Sequence, residues 1–104
     1  MVNRWRGAVA VTVGGKRCVA RLTLGALAEL EDGLGEDSLM ALVERFEGSR
    51  FTSRDVIALL GAGLRGGGHE ISDADLAQAQ IEGGPIAAAR AGAELLARAF
   101  VVPE

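Results

Sequence analysis

The chain has 104 residues, 49% hydrophobic, 24% charged and 4% aromatic, with a net charge of -3. That balance suits one soluble globular domain over 1–104, and a single cysteine, Cys18, excludes an internal disulfide framework and fits a reducing cytosol. The N-terminus MVNRWRGAVAVTVGGKR alternates in polarity and no apolar run approaches the ~20 residues of a membrane span, so neither a signal peptide nor a membrane anchor is expected and the location expected is cytoplasmic.

Residues 5 to 22 are predicted to form a β-hairpin closed by Gly14-Gly15, a pair able to take the positive φ angles of a two-residue primed turn. The turn sets Val11 opposite Cys18, Val9 opposite Ala20 and Gly7 opposite Leu22. All six fall on one face, because side chains alternate. Arg6, Thr12, Arg17 and Arg21 fall on the other. Residues 1 to 28 carry five basic residues and no acid, leaving fourteen acids against six bases in the rest, a balance of -8. The reading favoured is a basic hairpin lying beside acidic helices of the same chain.

Five helices follow, at about 24–34, 39–47, 53–65, 73–82 and 85–100. Thr23, Ser38, Thr52 and Ser72 stand where N-caps are needed, and Thr52 with Asp55 has the form of a capping box. The apolar stripes expected are Leu24, Leu27, Ala28, Leu30 and Leu34 in the first helix, and Leu39, Leu42, Val43 and Phe46 in the second. The third offers Val56, Leu59, Leu60 and Leu64, and the last offers Ile86, Ala89, Ala93, Leu96 and Phe100. Pro85 suits the first turn of the last helix. RGGGHE, 65 to 70, is expected to be a flexible break. The fold class is therefore α+β, mostly α: a two-stranded hairpin followed by about five short helices in a compact bundle.

No motif carries catalysis, a cofactor or a metal. GAGLRG, 61 to 66, has the spacing of a dinucleotide fingerprint, but a helix enters it where a strand should. GGKR, 14 to 17, is explained by the hairpin turn. His69, beside three glycines, lacks the fixed surroundings of a triad base, and its acidic neighbours lack zinc or calcium ligand spacing. Cys18 falls on the core face, as a small hydrophobe. A helix-turn-helix over residues 38 to 65 is geometrically conceivable, but its second helix offers only Arg54 and Arg65 beside Asp55. Nucleic acid is therefore a poor partner for it.

The blocks LTLGALAELE, FTSRDVIALLGAGLRGGG and the alanine-rich end EGGPIAAARAGAELLARAF resemble the gene transfer agent family of small tail proteins, related to phage tail assembly chaperones. The resemblance covers nearly the whole chain and implies no enzyme activity. It implies a non-enzymatic chaperone that transiently binds the tape measure protein during tail assembly. The alternatives are a structural tail-tube component, with tail tube protein as partner, and a small helix-turn-helix DNA-binding regulator. The partner-binding groove expected is lined by Leu39, Leu42, Phe46 and Leu60, and homo-oligomers are expected through an open hairpin edge.

Overall fold

The computed structural model describes residues 7–34 and 38–100. Strands β1 (Val9–Val13) and β2 (Lys16–Ala20) pair antiparallel. The register sets Val9 opposite Ala20 and Val11 opposite Cys18, as the Gly-Gly turn requires; Gly14 and Gly15 have φ of 58° and 81°. Five helices follow: α1 (Leu24–Leu34), α2 (Leu39–Glu47), α3 (Ser53–Gly66), α4 (Asp73–Gln78) and α5 (Gly84–Ala99). The expected order of a hairpin and five helices is what the chain forms. Arg6 and the residues before it, Gly35 and the tail VVPE lie outside the described residues.

The predicted caps are all made. The hydroxyl oxygens of Thr23, Ser38, Thr52 and Ser72 accept from the backbone N–H three residues on, at 3.0–3.1 Å. At Thr52 the box closes reciprocally, since Asp55 Oδ2 accepts from the Thr52 N–H at 2.9 Å. Each cap satisfies a backbone donor that the helix itself leaves orphaned.

The α3 helix is the centre. Leu60 and Leu64 enter a core with Val9, Val11, Cys18, Ala20, Leu76, Ala88, Ala91 and Leu95. Leu59 and Ala62 enter a second with Ala26, Leu30, Leu42 and Leu96. Buried on both sides, α3 tolerates glycines that cost about 1 kcal/mol each in helix propensity, because they permit close approach. A Cβ at Gly63 would stand 2.8 Å from a Leu95 methyl and 3.3 Å from Ala20 Cβ. At Gly66 and Gly67 it would strike the carbonyl oxygens of Arg21 and Val19. Within the glycine run expected to be a flexible break, Gly66 and Gly67 are thus tightly packed against residues 19–21, and the chain turns at Gly68, whose φ is 94°.

Three further expectations are corrected by packing. In α1 the buried residues are Ala26 and Leu30, while Leu24 is 86% exposed and Ala28 is exposed too. In α5 they are Ala88, Ala91, Gly92, Leu95 and Leu96. Ile86 and Phe100 are 73% and 44% exposed. The small residues allow close approach, so Ala26, Ala88, Ala91 and Gly92 are buried beside Leu30, Leu95 and Leu96, while Leu24, Ile86 and Phe100 stay outside. The fourth helix stops at Gln78. Residues 80 to 82 instead line β1: Gly14 N–H donates to Gln80 O at 2.7 Å, Glu82 N–H to Thr12 O at 3.0 Å, and Ile81 bridges to Val13.

That segment also covers part of the hairpin edge expected to mediate self-association. The outer edge of β1 is engaged at Thr12 and Gly14. On the edge of β2, Val19 N–H donates to His69 Nε2 at 3.2 Å and Arg21 N–H to Gly63 O at 2.7 Å. Both edges are used by the chain's own backbone and His69.

Candidate functional site

Arg45 on α2 and Asp55 on α3 clasp the two helices together. The guanidinium donates to both carboxylate oxygens, at 2.9 and 3.0 Å, a bidentate geometry that fixes orientation as well as distance. Burial pushes the Asp55 carboxyl upward, but the Arg45 bonds and charge and the Thr52 N–H and hydroxyl together outweigh it, so the group lies below its ordinary value. Arg65 plays the same linking role at the other end of α3: its guanidinium reaches Glu29 of α1, Asp73 of α4 at 3.0 Å and the Ile71 carbonyl at 2.7 Å.

Two depressions of the surface are mainly apolar. A cleft of about 630 Å³ lies between the N-terminal half of α3, α4 and the N-terminal half of α5. Its walls include Phe51, Val56, Ile57, Leu76, Ile81 and Pro85, and none of its lining residues is charged. Ser53 and Gln80 supply the only side-chain polar groups. A smaller groove of about 270 Å³ runs between α2 and the end of α5, lined by Val43, Phe46, Glu47, Leu96 and Phe100 among others. Phe46 stacks on Phe51, with centroids 4.6 Å apart and planes 11° from parallel. One aromatic pair thus contributes a ring to each depression.

Of the residues expected to line a partner groove, Leu39, Leu42 and Phe46 meet in one core and Leu60 enters the other, so the four do not line a single groove. Leu42 and Leu60 are 0% and 1% exposed and sit in different cores. Leu39 and Phe46 are half-buried against the core of Leu42, and of the four only Phe46 lines a depression. The larger cleft went unforeseen because Val56 reads as core by spacing and Pro85 as a helix start. Only the turn of residues 79 to 84, which swings α5 away from α4, leaves their side chains facing a gap. Ile57 and Phe51 carried no signal of their own.

The residues with reactive side chains have structural employment. His69 accepts from the Val19 N–H, and Cys18, 7% exposed, is part of the core with its Sγ 3.5 Å from the Lys16 carbonyl oxygen. Among the described residues no three His, Cys, Asp or Glu side chains are placed to hold a metal ion, and no helix is long and apolar enough to cross a membrane. What the surface offers besides is the uncharged apolar cleft.

Searches of curated proteins and of solved structures returned no match. A family model does match, over residues 6–101, a span that takes in the hairpin, the Arg45–Asp55 clasp, the apolar cleft and all five helices. The chain belongs to that family, described as phage tail tube protein, GTA-gp10, and is a tail protein of the gene transfer agent type.

Proposed function

We propose that this protein is a non-enzymatic assembly chaperone of a phage-like tail, which holds an apolar segment of the tape measure protein in the cleft between α3, α4 and α5. The observation that carries this reading is an uncharged apolar cleft left open on the surface of a protein whose core residues are otherwise closely packed. Each leucine-sized side chain seated there contributes roughly 1.5–3 kcal/mol before association costs are subtracted. A few such contacts hold a partner without trapping it, which suits a protein that must release its client.

The family's own description favours a second reading, a subunit of the tail tube. Copy number separates the two. Quantitative mass spectrometry of purified particles should find no copies of a chaperone and many of a tube subunit. In producing cells the chaperone should co-purify with the tape measure protein, and Ile57→Ser, in the cleft wall, should end that association while circular dichroism stays unchanged. Many copies in the particle would replace the first reading with the second.

A further inference from the structure

Along a paired strand, backbone N–H and C=O groups point alternately toward the partner strand and away from it. Val19, opposite Ala10 in the register, points its N–H away from β1, onto the outer edge of β2. The acceptor that meets it there is a side chain. His69 Nε2 takes the hydrogen bond at 3.2 Å, from 50 residues further along the chain. The end of α3 delivers the ring to this place. At the seam Gly66 and Gly67 pack against residues 19–21, and the chain turns at Gly68. The His69 N–H then donates to the Leu64 carbonyl at 3.0 Å.

A backbone acceptor would hold this edge at any pH, but an imidazole does so in one protonation state only. Its nitrogen accepts a hydrogen bond only while it carries no proton, so the ring in this contact is neutral with its proton on Nδ1. Histidine is the side chain that ordinarily changes charge between about pH 5 and 8, and His69 is the only one in the chain. The charged groups around it come from three elements. Arg65 of α3 and Glu70 of the turn line the same shallow depression as the ring, and Arg65 is held by Glu29 of α1 and Asp73 of α4. On β2 and just after it, Arg17 and Arg21 stand two residues to either side of Val19, with Lys16 beyond Arg17. Side chains of these other types ordinarily keep one charge across that interval.

We propose that His69 is a pH-sensitive latch on the β2 edge, closed while its imidazole is neutral and opened by a proton at Nε2. Protonation turns Nε2 into a donor that faces the donor of Val19, so attraction becomes repulsion and the contact parts. The opening is local. The backbone bonds of Gly67 and His69 to the end of α3 do not involve the ring, and the Gly68 hinge, where an added Cβ would meet nothing within 4 Å, leaves the turn room to move. Acid therefore uncovers a strand-edge donor that neutral pH keeps covered. Neither His69 nor Val19 lines the apolar cleft, so the latch is independent of what the cleft binds.

The test is amide hydrogen exchange followed by NMR on the full chain, from about pH 7.5 to about pH 5.5, each rate taken relative to that of the unfolded chain at the same pH. Protection of the Val19 amide should fall about tenfold toward the acid end. The Arg21 amide, held by the Gly63 carbonyl at 2.7 Å, should keep its protection and serves as the internal reference. In His69→Gln, whose side-chain oxygen accepts without titrating, Val19 protection should not change with pH; circular dichroism checks that the variant is folded. The wild type alone gives a further readout, since its imidazole nitrogen resonances at the upper pH should show Nδ1 protonated and Nε2 bare. Level Val19 protection in the wild type, as would follow if Glu70 held the charged ring in place, overturns the proposal. So does an equal fall in His69→Gln, a parallel loss at Arg21, or a protonated Nε2 at the upper pH.

Discussion

Where α3 meets β2 and α5, Gly66 and Gly67 bring backbone against backbone, and Gly63 sits against Leu95 and Ala20, so a methyl group at any of the three would be crowded. Near the other end of the same helix, Val56 and Ile57 stop short of α4 and Pro85, and the gap between them is a cleft. The first region spends flexible residues on tight packing; the second leaves apolar side chains packed on one side and open on the other. Closed packing costs helix propensity and is recovered in the fold's own stability. Apolar surface left open returns nothing to the isolated chain and is recovered only when something binds. The difference locates the seam as structural and the cleft as the place to look for a partner.

The sharpest way to break that contrast is at the seam. Gly67→Ala puts a methyl group into the Val19 carbonyl, a backbone contact that cannot swing aside as a side chain would. A loss of about 2–3 kcal/mol of unfolding free energy is expected in urea titration; an unchanged midpoint would show that the seam has slack and that the contrast with the cleft is false.

A smaller effect is expected at the clasp that holds α2 against α3. Arg45→Ala should cost about 1–2 kcal/mol near neutral pH, between the values for exposed and fully buried ion pairs, because both side chains are partly accessible. Its pH dependence gives a second readout. The native Asp55 carboxyl is held below its ordinary value, so the unfolded chain takes up the proton first as pH falls. The clasp therefore contributes fully above the ordinary carboxylate range, about pH 4, and is lost as pH falls through the lower native value. Wild type and variant should converge in stability across that window. Parallel curves down to the acid limit would count against the clasp.

The smallest effect on stability is expected at an exposed part of the cleft wall. Ala77→Glu, on α4, should leave the unfolding midpoint within about 0.5 kcal/mol of wild type and yet weaken partner binding. A variant that binds as well as wild type would confine the site to the α3 and α5 walls.

The hairpin register, the four caps and the glycine turn were legible because each depends on residues within a few positions of one another. A two-residue turn sets the pairing of Val9 with Ala20, and Thr52 with Asp55 forms its capping box within one turn of chain. The Leu42 face of α2 was legible too, since its large apolar residues, Met40 apart, sit on one side. The faces of α1 and α5 were not. Both helices mix large and small apolar residues around their circumference, and size alone points to Leu24, Ile86 and Phe100. Which side turns inward depends on partners distant in the chain. Gly92 faces Leu59 and Phe46, and Ala26 lies against the end of α3 near Gly66, so close approach selects the small residues.

The sequence by itself determined the element order, the turn and cap chemistry and the absence of a recognisable catalytic motif, because those are short-range properties of the chain. Only the tertiary structure decided that Gly66 and Gly67 pack tightly before the chain turns at Gly68, that residues 80 to 82 line β1 instead of extending a helix, and that Leu42 and Leu60 are enclosed while Phe51, Ile57 and Pro85 border a cleft. The physical reason is the same in each case. Whether an apolar or a small residue ends buried, packed or open is set by the shape of the surface that arrives against it, and that surface comes from a part of the chain many residues away.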